Sequence, residues 1–283
     1  MSPLETDLTP RPAPSVRRND RGQLLNVLIL ALATAVGIGA FLYPFFVHPE
    51  QTDGMVFAHT QDAPFVFLVG MVICLVTVLV SLETRRMNAK TAAVLGILVA
   101  INSVLRLIPG PLGFSAIFFL PILCGYVYGA DFGFLLGTLS LLVSAIVTNG
   151  LGPWLPYQMF ATGWMGMAAA WLPDLSRRPR LEQIVLSLYG GVLGLAFGAI
   201  MDLWFWPYVF DPAQSNMYWQ AGYGPWATLL RFAVFYLTTS LLWDLGRAAG
   251  NILLIACFGP PILRLLRRFR NRFHFELRPQ IRE

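Results

Sequence analysis

The sequence predicts an all-α integral membrane protein of about eight transmembrane helices, and three observations carry that reading. Hydrophobic residues make up 56% of the chain and charged residues only 12%, with a mean hydropathy of +0.62. Several apolar runs approach or exceed the roughly 20 residues that cross a hydrocarbon core as a helix. The remaining charges are segregated. With eight spans and both termini on one side, that side holds 18 of the 20 Arg and Lys residues, all but Arg106 and Arg231. The positive-inside rule makes it the cytoplasmic side.

Residues 1–23 are polar and Pro-rich, with Arg17, Arg18 and Arg21, and read as a disordered cytoplasmic tail. Residues 24–90 hold two spans, Leu24–Val47 and Pro64–Leu82, separated by a loop with Glu50, Asp53 and Asp62. The first carries Ala31, Ala35 and Gly39 at four-residue spacing, a smooth stripe that lets another helix approach closely. Residues 91–258 form a second unit of six spans. Its first, Thr91–Ile108, repeats the small-residue stripe as Ala92, Gly96 and Ala100, and carries Asn102 and Arg106 one turn apart on another face. Spans over Phe114–Gly129 and Phe134–Thr148 flank the tight turn at Gly129–Gly133, and are short enough to be re-entrant instead.

The motif Gly150-Leu151-Gly152-Pro153-Trp154-Leu155-Pro156-Tyr157-Gln158 then opens the span Pro156–Leu172. Proline lacks a backbone donor and is tolerated in the first turn of a helix, so the helix starts here, with Trp154 and Gln158 one turn apart. The next span, Ile184–Tyr208, ends in Trp204-Phe205-Trp206-Pro207-Tyr208. A second Gly-Pro-Trp at Gly224–Trp226 opens a long span to Phe258, continuous or broken near Gly246. After Gly259-Pro260-Pro261, residues 259–283 read as a basic amphipathic cytoplasmic tail suited to an anionic membrane surface.

Absences exclude whole classes of chemistry. The only lysine, Lys90, lacks the glycines of a phosphate-binding P-loop, so no ATP hydrolysis is expected of this chain. His48, His59 and His274 fall in loops or the tail, so no His-ligated haem or zinc centre is expected within the bilayer. Cys74, Cys124 and Cys257 lack metal spacing and read as small buried hydrophobes. No cofactor and no metal are called for.

Intramembrane ionisable groups are costly, and are therefore candidates for function. Arg106 lies near the outer end of its span, while Asp202 and Arg231 lie about 9 Å below the outer surface at 1.5 Å per residue. That shared depth allows an Asp202–Arg231 ion pair between helices, or contacts from both to a ligand. Asp244 and Arg247, three residues apart, can pair locally. An outer excess of aromatics, among them Trp154, Tyr157, Trp204 and Trp226, fits an interfacial belt or an outward-facing site for a flat solute.

On these residues the block from Ala92 to Phe273 resembles the substrate-binding S component of an energy-coupling factor (ECF) vitamin transporter. The resemblance rests on the stripe leading to Arg106, the Gly-Tyr-x-Tyr-Gly-Ala-x-Phe-Gly turn at Gly125–Gly133, and Gly152-Pro153-Trp154-Leu155-Pro156-Tyr157-Gln158-Met159. It rests further on Leu203–Pro207 and on Trp243–Ala248 running into the basic tail. The resemblance implies a six-helix core preceded here by two extra helices. It implies capture of a vitamin or related micronutrient outside a bacterial or archaeal plasma membrane, and transfer inward against a transmembrane coupling subunit driven by two ATPase subunits.

On that footing Asn102, Arg106, Trp154, Tyr157, Gln158, Asp202, Trp204 and Arg231 are expected to bind substrate. Ala92, Gly96 and Ala100 are expected to touch the coupling subunit, with Ala31, Ala35 and Gly39 competing for that role. Two cationic groups at an aromatic mouth suit a large planar solute with amides and a phosphate, such as cobalamin or another corrinoid. The competing readings are an intramembrane lipid or isoprenoid enzyme using Asp202 or Asp131, and an autonomous secondary transporter.

Overall fold

In a computed structural model that describes residues 20–47, 58–84, 87–108 and 110–273, every described element of regular structure is helical. The helices are α1 (Asp20–Leu42), α2 (Pro44–Val47), α3 (Ala63–Glu83), α4 (Ala89–Leu105), α5 (Phe119–Tyr128) and α6 (Ala130–Thr148). There follow α7 (Leu155–Ala169), α8 (Pro179–Phe205), α9 (Pro225–Thr239) and α10 (Leu241–Phe273), with short 3-10 turns at Ala116–Phe118, Trp206–Tyr208 and Pro212–Gln214. Among the described residues five segments are long and apolar enough to cross a membrane: Leu24–Val47, Ala63–Glu83, Ala130–Thr148, Pro179–Tyr208 and Leu241–Arg272. Both α7 and α9 have 15 residues. At 1.5 Å each that is about 22 Å, short of the roughly 30 Å hydrocarbon layer.

The core runs along α5, α6 and α7, where Ile122, Leu123, Leu135, Leu136 and Phe160 are buried. These helices meet at glycines. A Cβ on Gly133 would strike the carbonyl of Gly166, and one on Gly166 would strike that of Gly133. A second close pair, α8 with α10, meets at Gly190, Gly194 and Gly198, the last lying under the Asp244 carboxylate. Outside this interior the surface is apolar rather than charged. Leu32, Leu68, Leu79, Ile97, Ile146, Val192 and Leu253 are exposed on helix faces. So much apolar exposure would be a liability in water and is what lipid requires.

Polar contacts fasten the two ends of the bundle. At one end Asn26 donates to Asp131 at 2.9 Å, tying α1 to the start of α6. There too the buried Glu182 accepts from Tyr126 at 2.8 Å and pairs with Arg267, while Arg270 donates to the Val127 carbonyl at 2.9 Å. The other end carries the Gly150–Pro156 turn and is called the turn end below.

Three expectations are corrected. The long last span breaks at Ser240, not near Gly246. Thr238 and Thr239 turn their hydroxyls back onto the Val234 and Phe235 carbonyls, and Ser240 gives its hydroxyl to Asp202. Gly246 stays helical and lets the Leu112 carbonyl approach, where a Cβ would collide. The basic segment is not a separate surface helix as far as Phe273: α10 runs through Pro260 and Pro261. Prolines remove backbone donors from a helix, but buried Ile255, Leu263 and Leu266 and the Arg267–Glu182 pair hold both flanks on the bundle. Cys257 is exposed on α10, whereas Cys74 and Cys124 are buried. The expectations for Glu50, Asp53, His48, His274 and residues 1–19 and 274–283 lie outside the described residues.

Candidate functional site

The eight candidate residues gather at the turn end but divide among separate environments. The first is a closed polar cluster. Tyr157, on the first turn of α7, is fully buried, and its hydroxyl donates to Asp62 Oδ2 at 2.5 Å. His59 Nδ1 lies 2.8 Å from the same carboxylate oxygen and 2.7 Å from the Tyr157 hydroxyl. His59 Nε2 donates to the Trp204 carbonyl at 2.7 Å, and the two rings stack with centroids 5.7 Å apart and 18° between planes. Tyr43 and Tyr208 close the cluster, their hydroxyls 3.1 Å apart. Burial works against ionisation of Asp62, but the hydrogen bonds from His59 and Tyr157 outweigh it and hold the carboxyl below its ordinary range.

The second environment lies across α7. Arg106, just past the end of α4, donates to Ser144 Oγ at 3.0 Å and to Gln158 Oε1 at 3.4 Å. Asn102, one turn earlier, is buried and donates to the Ile117 carbonyl at 2.9 Å, leaving its Oδ1 without a partner. Both therefore fasten α4 to its neighbours. Trp154 is half-buried beside Gly152, where a Cβ would strike the indole. The Gly-Pro-Trp turn faces α3 rather than Asp202. A cavity of about 320 Å³ lies there between Ala63, Pro64, Phe67, Leu151, Pro153 and Pro156.

The third environment is open. Asp202 is buried to 5% exposure, accepts from Ser240 Oγ at 2.8 Å through Oδ1, and has no partner for Oδ2 among the described residues. It lines a cavity of about 940 Å³ with Phe205, Phe210, Asp211, Tyr218 and Phe235. Arg231 does not pair with Asp202. It donates to the carbonyls of Ser215 and of Tyr218, the latter at 3.2 Å, and its guanidinium sits 4.0 Å over the Tyr223 ring. Shared depth was the only ground for that pair, and the intervening loop supplies Arg231 with acceptors first. The Asp244–Arg247 pair does form.

Sequence reasoning missed His59, Asp62, Tyr43 and Ser240. A signal existed for two of them: His59 and Asp62 stand three apart just ahead of Pro64, which opens α3. Among the described residues no group of His, Cys, Asp and Glu could hold a metal ion. The small-residue stripes both face outward. Gly96 and Ala100 are exposed and Ala92 half-buried on α4, and Ala31, Ala35 and Gly39 are exposed on α1.

Comparison with known proteins assigns this architecture. No curated protein and no solved structure matches the chain. The family model for the substrate-specific component of ECF transporters matches residues 85–259, more than half of the chain, beginning just after the N-terminal helix pair. A bundle with an apolar exterior and several membrane-length helices is what such a subunit requires. The chain therefore belongs to the ECF transporter substrate-specific components: it is a multi-pass membrane subunit of a transporter, not an enzyme.

Proposed function

We propose that the chain captures a vitamin or related micronutrient at the outer face of the cell membrane and passes it to a coupling subunit powered by two ATPase subunits. The observation that carries this reading is the family match over residues 85–259. The topology proposed with it has eight spans: α1–α2 and α3 form an added pair, and α4 to α10 form a six-helix core with α9 and α10 as its last span. Both termini are cytoplasmic, because the basic residues gather on that side. The turn end is then outward; of the eight residues expected to bind substrate, Asp202 lines the large cavity there, while Asn102, Arg106, Trp154, Tyr157, Gln158, Trp204 and Arg231 stand in the neighbouring environments and are not among its lining residues.

The docking face proposed for the coupling subunit is Ala92, Gly96 and Ala100 on α4. A Cβ on Gly96 would meet nothing within 4 Å, so a partner helix can approach closely there. The matched family region includes this stripe and excludes Ala31, Ala35 and Gly39. The corrinoid reading leaned on Arg106 and Arg231 as free cations. Arg106 is held by Ser144 and Gln158, and Arg231 by loop carbonyls. Cobalamin is therefore retained as one arm of the ligand test rather than as the assignment.

The test is co-purification of the tagged full chain from its native membrane. A coupling subunit with two ATPases should come with it, and Gly96→Leu should lose them while the chain still folds. Uptake by vesicles holding this chain alone would overturn the reading in favour of an autonomous transporter.

A further inference from the structure

We infer that the cavity between the end of α8, residues 209–218 and α9 is built to receive an organic cation, one whose charge sits on or beside a methylated or ring nitrogen. The inference rests on the capture function proposed above and names the substrate class for it. It starts from Asp202. A buried carboxylate oxygen with no partner among the described residues, on a side chain 5% exposed, is costly, and native proteins rarely leave such a group unexplained. Among the described residues its only hydrogen-bond donor is Ser240 Oγ, on the other oxygen. Arg247, whose charge reaches Asp202, is bonded to Asp244 instead. Arg231 is turned away to the Ser215 and Tyr218 carbonyls.

The rest of the wall points the same way. Asp211 adds a second carboxylate, and none of the lining residues is Lys, Arg or His. Phe205 and Phe235 stand edge-on with centroids 5.8 Å apart, while Tyr218 lies 5.7 Å from Phe235 and 6.1 Å from Phe210. Aromatic faces carry negative quadrupole potential and attract cations most when water is excluded. Four rings around a carboxylate with one open oxygen select for positive charge together with apolar bulk. An anionic solute would meet two carboxylates, ring faces and the hydroxyls of Thr239 and Ser240, which already donate to the Phe235 carbonyl and to Asp202, and no cationic lining side chain. The cavity of about 940 Å³ admits a ligand well beyond a simple ammonium ion.

The experiment titrates the purified full chain in lipid nanodiscs, following tryptophan emission and thermal midpoint. The probes are benzyltrimethylammonium, choline, the neutral choline isostere 3,3-dimethyl-1-butanol, phenyl phosphate and cobalamin. The two cations should bind, with the neutral isostere weaker than choline by about tenfold or more. Asp202→Asn, which keeps an acceptor for Ser240, should weaken both cations by a similar factor without lowering the unliganded midpoint. Phe210→Leu, on the loop, should weaken benzyltrimethylammonium more than choline.

Equal binding of choline and its isostere, or cation binding indifferent to Asp202→Asn, would overturn the assignment. Tight binding of phenyl phosphate or cobalamin with the cations inert would also overturn it, while leaving the transport reading intact, since that stands on co-purification. Cation binding by a chain that never captures a coupling subunit would uphold the class and sink the transport reading instead.

Discussion

Asp62 and Asp202 are both withdrawn carboxylates at the same end of the bundle, yet their surroundings are opposite. Asp62 has Tyr157 donating to it and His59 beside it, within a cluster that also holds Trp204, Tyr43 and Tyr208. Among the described residues Asp202 has Ser240 on one oxygen and nothing on the other, beside a cavity. Helix geometry explains how both environments arise on α8. Residues two apart are rotated by about 200°, so Trp204 turns toward α3 while Asp202 turns toward α9 and α10. Tyr157 and Gln158, adjacent on α7, diverge by about 100°. Polar residues at one depth are therefore not one site. What sets Asp202 apart is that its unpartnered oxygen belongs to a residue lining a cavity.

The contrast can be broken most forcefully at His59. His59→Ala removes the ring stacked on Trp204, the bond to the Trp204 carbonyl and the contact to Asp62. The expected loss is about 3 kcal/mol, measured as a large fall in thermal midpoint. Tyr157→Phe keeps the ring and its edge contact with Phe41 but withdraws the hydroxyl from Asp62, with an expected loss of about 1–2 kcal/mol. Asp202→Asn should change the unliganded midpoint little or raise it, because it relieves a buried charge that the fold leaves unmatched. Were Asp202→Asn to cost as much as His59→Ala, the two carboxylates would have the same structural role and the contrast would collapse.

The sequence made the helical membrane character, the helix starts at Pro64, Pro156 and Pro225 and the Gly129 turn legible, because apolar run length and proline and glycine chemistry act locally. It made Asp202 legible as a candidate because a carboxylate in an apolar helix is anomalous wherever it points. It did not reveal His59, which reads as a loop residue until α3 and α8 are placed together. Nor did it separate Arg231 from Asp202, since depth along a helix carries no information about the loop that folds over it. The break at Ser240 was equally hidden. No proline or glycine marks it, and the side chain at the break, Ser240, bonds a carboxylate 38 positions earlier.

Gln158→Ala sharpens the comparison on the α7 side. Gln158 holds Arg106 at 3.4 Å and does not line the Asp202 cavity. Its removal should cost under about 1 kcal/mol and leave cation affinity within about twofold of the parent. A large loss of affinity would place Arg106 and Gln158 in the ligand's path and merge two environments that the geometry keeps apart.

The smallest effect is the acid response of Asp62. Hydrogen bonds from His59 and Tyr157 outweigh burial and hold its folded-state pKa below the ordinary value. A depressed carboxylate pKa contributes stability that is fully present above the unfolded-state pKa of about 3.9 and is lost as pH falls through the folded-state value. Thermal midpoints of the parent chain and of Asp62→Asn should therefore differ by a constant amount from neutral pH to about pH 5, and converge below about pH 4. The subtraction removes the acid-labile groups remote from Asp62, which titrate alike in both chains. A difference that stayed constant down to pH 3 would mean that the hydrogen bonds to Asp62 do not favour its charged form. The closed cluster would then owe its stability to ring packing alone.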